Sequence, residues 1–281
     1  MLVGVVYTRT LGAMLAAALL VGTLPAAPTQ LAVLINREFA ASELWDDGQA
    51  EVATYTAERI IYGKARPHTM HLITVSEDFN REYWVKAEFP YAQKPLVTVL
   101  KQNAVATIPT DNYPYNYMTS LFVERLDPAK GVKLSVSSQE WCGTTSKTFQ
   151  LWQNPPRMVY TSYWEPEGEG ERTLGESTAF FEEQLFLLLR MLPHREGLEA
   201  EFALYPNQTT TKAPEPRPTP ARLRVRDGGE DRWSVEVEAG DGRFLRFAFA
   251  KDYPHALLTF RHSDGRKLDL QSLERDAYWV Q

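Results

Sequence analysis

The sequence predicts a mainly β protein, its antiparallel sheets curved into a sandwich or an open, incomplete barrel with one packed helix near 177–192. Three observations predict it. Short aromatic or β-branched runs recur along the chain with turn residues between them, a spacing too close for βαβ units. The last third alternates cleanly: Trp233, Val235 and Val237 fall on one face, and Ser234, Glu236 and Glu238 on the other. One segment alone, STAFFEEQLFLLLRML, carries a strong helical pattern after the N-terminus.

The 281-residue chain is 44% hydrophobic and 23% charged, an ordinary globular balance. Aromatic residues make up 12%, which favours β structure or a ligand-lined interior. The net charge of -6 gives no drive toward phosphate backbones, so no nucleic-acid partner is expected.

Residues 1–26 have the order of an export signal. Arg9 precedes the apolar run LGAMLAAALLVGTL (11–24), and the small residues of PAAPT (25–29) follow. Leu24 and Ala26 suit the −3 and −1 positions of a cut after Ala26. Residues 27–281 would then be an exported β domain in the periplasm or cell envelope. The alternative is an uncleaved anchor, which leaves membrane contact open. Cys142 is the single cysteine, so no internal disulfide is available and the core must carry stability.

Residues 28–45 form a short helix or an extended lead-in. Strands are expected at 51–63, 68–78, 81–89, 115–126, 132–141, 145–153 and 158–164, with two more around Gln102-Asn103 within 94–110. The helix over 177–192 has Ser177 or Thr178 as cap, Glu182 and Glu183 in its first turn and Pro193 as stop. Its apolar residues surround most of its circumference, as in a helix laid on a sheet or plugging a barrel. EFALY (201–205) is another strand. PNQTTTKAPEPRPTP (206–220) has no apolar period and reads as an extended loop. It joins two possible halves, 44–205 and 221–281. The second half is a meander turning at DGGED, AGDG and SDG.

Few patterns carry chemistry. Cys142 lacks a nucleophile signature and follows an alternating strand, which makes it a buried or half-buried thiol beside a core-anchoring Trp141. His68 and His71 fall on opposite faces of a strand, poor for chelation. EPEGEGE (165–171) has Glu165, Glu167, Glu169 and Glu171 at every second position, but Pro and Gly among them make it a solvated loop. No metal, cofactor or catalytic residue is assigned. The remaining feature is aromatic: Trp84, Tyr115, Tyr117, Trp141, Trp152 and Tyr163 recur on neighbouring strands and can line a groove for an apolar ligand. The polar run Ser137–Glu140 adds Gln139 and Glu140 as the first place to look for a site.

WDDGQAEVATY (45–55), YPYNYMTS (113–120) and above all SSQEWCG (137–143) resemble an uncharacterised group of exported bacterial proteins, many of them labelled septum formation inhibitor Maf. The resemblance spans about residues 44–281. The label does not fit this chain. Maf proteins proper are cytosolic α/β nucleotide pyrophosphatases with a short basic N-terminal motif, which is missing here, so that activity is not carried over. The C-terminal meander resembles, more weakly, periplasmic β domains of unknown function. Some members of the group have a lipid-attached N-terminus; no cysteine follows the apolar run here.

The function expected is therefore non-catalytic: an exported envelope protein that binds a lipid or other hydrophobic small molecule in a β groove or barrel. An envelope hydrolase with an unrecognised site, or a scaffold pairing with another envelope protein through a sheet edge, are the alternatives.

Overall fold

In the computed structural model, residues 30–175 and 178–280 are described, together with Met1. The expected export signal and Ser177 lie outside them. Two short helices, α1 (Gln30–Leu34) and α2 (Arg37–Ala41), and a 3-10 turn at Glu43–Asp46 lead in. Then come β1 (Ala50–Ile61), β2 (Lys64–Asn80), β3 (Val85–Lys86), β4 (Leu96–Ile108), β5 (Tyr115–Glu124), β6 (Asp127–Glu140), β7 (Gly143–Gln150), β8 (Arg157–Ser162) and β9 (Glu169–Thr173). The short β10 (Phe180–Phe181) runs into helix α3 (Glu182–Leu188), which a 3-10 turn extends through Met191. The meander follows as β11 (Glu199–Tyr205), β12 (Thr219–Asp227), β13 (Arg232–Ala239), β14 (Phe244–Ala250), β15 (Leu257–His262) and β16 (Lys267–Asp276).

All these strands join one sheet in the order β10 to β16, then β1, β2, and β4 to β9, with β3 added to β2. Strand β10 pairs parallel with β11, and the other pairings are antiparallel. The end strands β9 and β10 are not bonded to each other, so the sheet stays open. The join between its halves is β1 against β16, from Ala50↔Asp276 to Glu58↔Lys267, with one bulge at Thr54/Tyr55. The strands of 44–205 and 221–281 thus share one sheet.

The sheet curls because its inward faces need one another. Alternation puts Leu134 and Val136 of β6, Leu223 and Val225 of β12, and Phe247 and Phe249 of β14 into a single apolar cluster. Strands far apart in the order meet there: Phe149 of β7 lies 4.6 Å from Phe181 of β10, centroid to centroid.

Helix α3 sits inside the curl, with all seven of its residues buried. Phe186 meets the edges of Phe260 at 4.9 Å and Phe247 at 5.8 Å. The helix is shorter than the apolar pattern predicts. Phe180 and Phe181 are taken by sheet pairing, and the N-cap is Phe181 rather than Ser177 or Thr178. Gln184 makes this start possible, since its Oε1 accepts from the Phe181 N–H at 2.7 Å. No helix among the described residues is long and apolar enough to cross a membrane.

Three other expectations change. Residues 94–110 form one strand, because Gln102 is accommodated inside: its Nε2 donates to Thr74 Oγ1 at 3.1 Å. The strand expected over 81–89 shrinks to β3, because Asn80 starts a turn by accepting the Glu82 N–H at 2.9 Å. Part of the acidic loop, Glu169–Thr173, is the edge strand β9 paired with β8.

Candidate functional site

The interior of the curl is not wholly apolar. On β7, Thr145 and Lys147 share the inward face with Phe149. A lysine there needs oxygen partners, because an unpaired buried ammonium is costly. The segment 206–218 supplies them. Its first part, 207–213, crosses the interior as a strap, with Gln208 at 3% and Ala213 at 0% exposure, while Pro214, Glu215 and Arg217 are exposed. Lys147 Nζ donates to the carbonyl oxygens of Gln208, Thr210 (3.3 Å) and Lys212 (2.7 Å), and to Thr210 Oγ1 at 3.0 Å.

Each neighbouring element adds an anchor. Thr145 Oγ1 donates to Thr211 O at 2.7 Å. Arg172 of β9 donates to Ala213 O at 2.6 Å, and Glu167 accepts from the Ala213 N–H at 2.7 Å. From α3, Glu183 Oε1 accepts from the backbone N–H groups of Gln208 at 2.5 Å and Thr209 at 3.1 Å. From β1, Arg59 Nη2 donates to Thr209 O at 2.7 Å. A Pro/Thr-rich segment has no apolar period, so pattern reading sends it to the surface. The readable signal was on the other side of the contact, in Thr145 and Lys147 alternating with Phe149.

Burial depresses Lys147, whose ammonium titrates at about 8, while Glu183 and Glu167 oppose the shift. Lys147→Met leaves the strap carbonyls without their donor and is expected to cost about 2–3 kcal/mol. Chemical denaturation measures this, and hydrogen exchange should show the amides of 208–213 opening first. Unchanged protection there would contradict the anchoring role.

Beside the strap lies a cavity of about 80 Å³. Ala57, Met70, Ala104, Ala106, Phe186 and Phe260 form its apolar walls. Arg59, Gln102, Tyr117, Thr119, Glu183 and Thr209 contribute polar atoms. Residues of β1, β2, β4, β5, β15, β16, α3 and the strap all contribute, so the site exists only because the sheet curls. An ion pair between Lys267 and Glu58, 2.8 Å long and partly exposed, stands at its edge. The volume would hold roughly three waters, or about half of what encloses a benzene ring. It accepts the end of an apolar chain, not a whole lipid tail.

The eight residues singled out in the sequence fall in three places. Tyr117 lines the cavity, with the Arg59 guanidinium 4.8 Å above its ring centre. A ladder of rings runs outward from it: Tyr115 at 6.2 Å from Tyr117, Tyr113 at 5.8 Å from Tyr115, and Trp141 at 5.7 Å from Tyr113. Tyr163 is exposed at this rim. Trp84 and Trp152 belong elsewhere; stacked at 4.9 Å, they cover Phe79, Val99, Phe122 and Val132, a cluster apart from the main core.

At SSQEWCG the alternation is as expected and its direction is reversed. Val136, Ser138 and Glu140 point inward and Gln139 points out. Trp141 does not anchor the core; it is 78% exposed at the turn. Cys142 is exposed, not buried, with its Sγ 3.2 Å from the Tyr113 hydroxyl. The buried member is Glu140, which accepts from the Cys142 N–H at 3.2 Å and so spends its charge on the turn. Gly143 is needed for close approach rather than for unusual backbone angles: a side chain there would overlap the Tyr163 ring.

Fold and site together define an open, barrel-like β protein wrapped round a polar strap, with one small amphipathic cavity between strap and sheet. No protein-family model matches the chain, and no curated protein matches it. Among solved structures it is similar to a beta-barrel-like protein of the domain of unknown function DUF1849 from Brucella abortus. That match covers 81% of this chain and 98% of the other, at 11% identity and a TM-score of 0.47. A DUF1089 family protein from Pseudomonas aeruginosa is similar over 56% of this chain and 82% of its own, at 13% identity and a TM-score of 0.36. At this distance neither likeness says what the chain binds, and the septum-formation label finds no support in them.

Proposed function

We propose that this is an exported, non-catalytic binding protein of the cell envelope, whose cavity takes the apolar end of a small amphipathic molecule. The observation that carries the reading is the cavity itself: apolar walls with a few convergent polar groups, open at one edge. Burying three methylenes there would contribute about 2.4 kcal/mol, enough for selectivity toward apolar tails. Export is supported by Arg9, the apolar run 11–24 and the small residues that follow. Of the lipid or other hydrophobic ligand expected from the sequence, this cavity would take a chain end.

Titration with 1-hexanol tests this. Saturable binding is expected, weakened about 4- to 15-fold in Ala104→Leu, since the added methyl groups occupy cavity space and a lost methylene or two is worth about 0.8 kcal/mol each. A melting temperature close to that of the parent would show that the variant still folds. Binding of equal strength in both proteins, or none in the parent, would refute the cavity as the site.

A further inference from the structure

Three of the five charged residues that line the cavity, Glu58, Arg266 and Lys267, are paired. Arg266 donates to Glu182 at 2.8 Å and to Asp264 at 2.7 Å. Lys267 pairs with Glu58. Arg59 differs. It sits on the inward face of β1 with Tyr55 and Ala57, and among the described residues its only hydrogen-bond partner is the uncharged Thr209 carbonyl. Among the described residues no carboxylate lies within ion-pair distance of it. Burial lowers its affinity for a proton, the mark of a cation short of compensation. Beside it, Thr209 also donates its N–H to Oε1 of Glu183 at 3.1 Å, and the Oε2 of Glu183 is buried with no hydrogen-bond partner among the described residues. Burial and the neighbouring Glu182 raise the Glu183 carboxyl, so a proton is held there more readily than in water. A guanidinium presents several donors in a fixed fork, and one nitrogen here is used. The remaining N–H groups of Arg59 call for an acceptor with negative charge, and the proton held on Glu183 keeps that carboxyl from repelling it.

Resting on the reading of the cavity as a binding site, we infer that the ligand is an anionic amphiphile, a short-chain carboxylate in the simplest case. Its acid group is held by Arg59 and its tail lies against Ala104, Phe186 and Phe260. The charge-assisted bond supplies what 80 Å³ of apolar space cannot. The Tyr117 ring face stabilises the guanidinium without filling its donor positions.

Hexanoate and 1-hexanol share a tail and differ in the head, so titrating both separates the two claims. Hexanoate should bind the parent roughly tenfold more tightly than hexanol, and Arg59→Gln should remove that preference while hexanol binding stays within twofold. Arg59→Lys keeps the charge, loses the fork and should retain part of the preference. Equal affinity for the two probes in the parent overturns the anion site and leaves the cavity reading standing. Loss of hexanol and hexanoate alike in Arg59→Gln also overturns it, because Arg59 would then only hold the strap. If neither probe binds the parent, both readings fall.

Discussion

Replacing Glu182 by alanine is expected to lower stability by roughly 4 kcal/mol, a drop in melting temperature of about 8–16 °C. Glu182 is 2% exposed at the N-terminus of α3 and faces two guanidinium groups and an imidazole. Arg243, at the end of the β13–β14 turn, donates to Oε1, Arg266 donates to Oε2 at 2.8 Å, and His262 Nε2 lies 3.6 Å from Oε1. The carboxylate thereby ties the helix to two hairpin ends of the meander. Burial opposes its ionisation, yet the nearby His262 imidazole and the bond from Arg266 hold it down at about 2. Removing it leaves two arginines with part of their compensation gone. A pH dependence follows. The folded carboxyl is depressed below its unfolded value of about 4.3, so its contribution is complete above that pH and is lost as pH falls toward 2. Denaturation profiles of the parent and Glu182→Ala should therefore converge between pH 4.3 and 2. Parallel profiles would show that Glu182 carries no such coupling.

Arg190→Met is expected to cost a similar 3–5 kcal/mol for a different reason. Arg190 and Glu51 form a two-pronged pair, 2.7 and 2.9 Å, with side-chain exposures of 3% and 4%. The guanidinium also donates to Pro254 O at 3.1 and 2.9 Å and lies over the Phe39 ring. It thus joins the end of α3 to the first residues of β1, the loop after β14 and helix α2. Taking away the arginine strands a carboxylate in the core, whereas taking away both charges removes the problem. The double variant Glu51→Met, Arg190→Met should recover most of the loss. If the double variant is as unstable as Arg190→Met, packing around Phe39, not the stranded charge, sets the cost.

These two clusters mark the border of what was legible in the sequence. Strands announced themselves where one face is apolar and the other polar, as in β13 with Val235 and Val237 against Ser234 and Glu236. Glu182 and Glu183 were assigned to a first helical turn because acidic side chains suit the positive end of a helix. Their partners were not legible. Arg243, His262 and Arg266 come from turns some 60 to 80 residues away, and only the curl of the sheet unites them. Direction was also hidden. The period of two fixes which residues of SSQEWCG share a face, and it does not say which face turns inward. A tryptophan was the natural choice for the core; the structure gives that side to Glu140, whose carboxylate the turn amide satisfies. The strap was hidden for the same physical reason. Its polar backbone is buried because Lys147, Arg59, Glu183 and Arg172 meet it, and no local pattern in 206–220 encodes distant partners. Of the site, aromatic residues were visible from sequence and only Tyr117 lines the cavity; Arg59 was indistinguishable from a surface charge.

The central claim is that the space between strap and sheet binds a small anionic amphiphile. Amide and methyl chemical-shift mapping during a hexanoate titration tests it most directly. Saturable shifts at Ala104, Ala106, Thr119 and Thr209, absent in Ala104→Leu, are the predicted result. Shifts confined to the exposed rim around Trp141 and Tyr163, with the cavity residues unmoved, would contradict it.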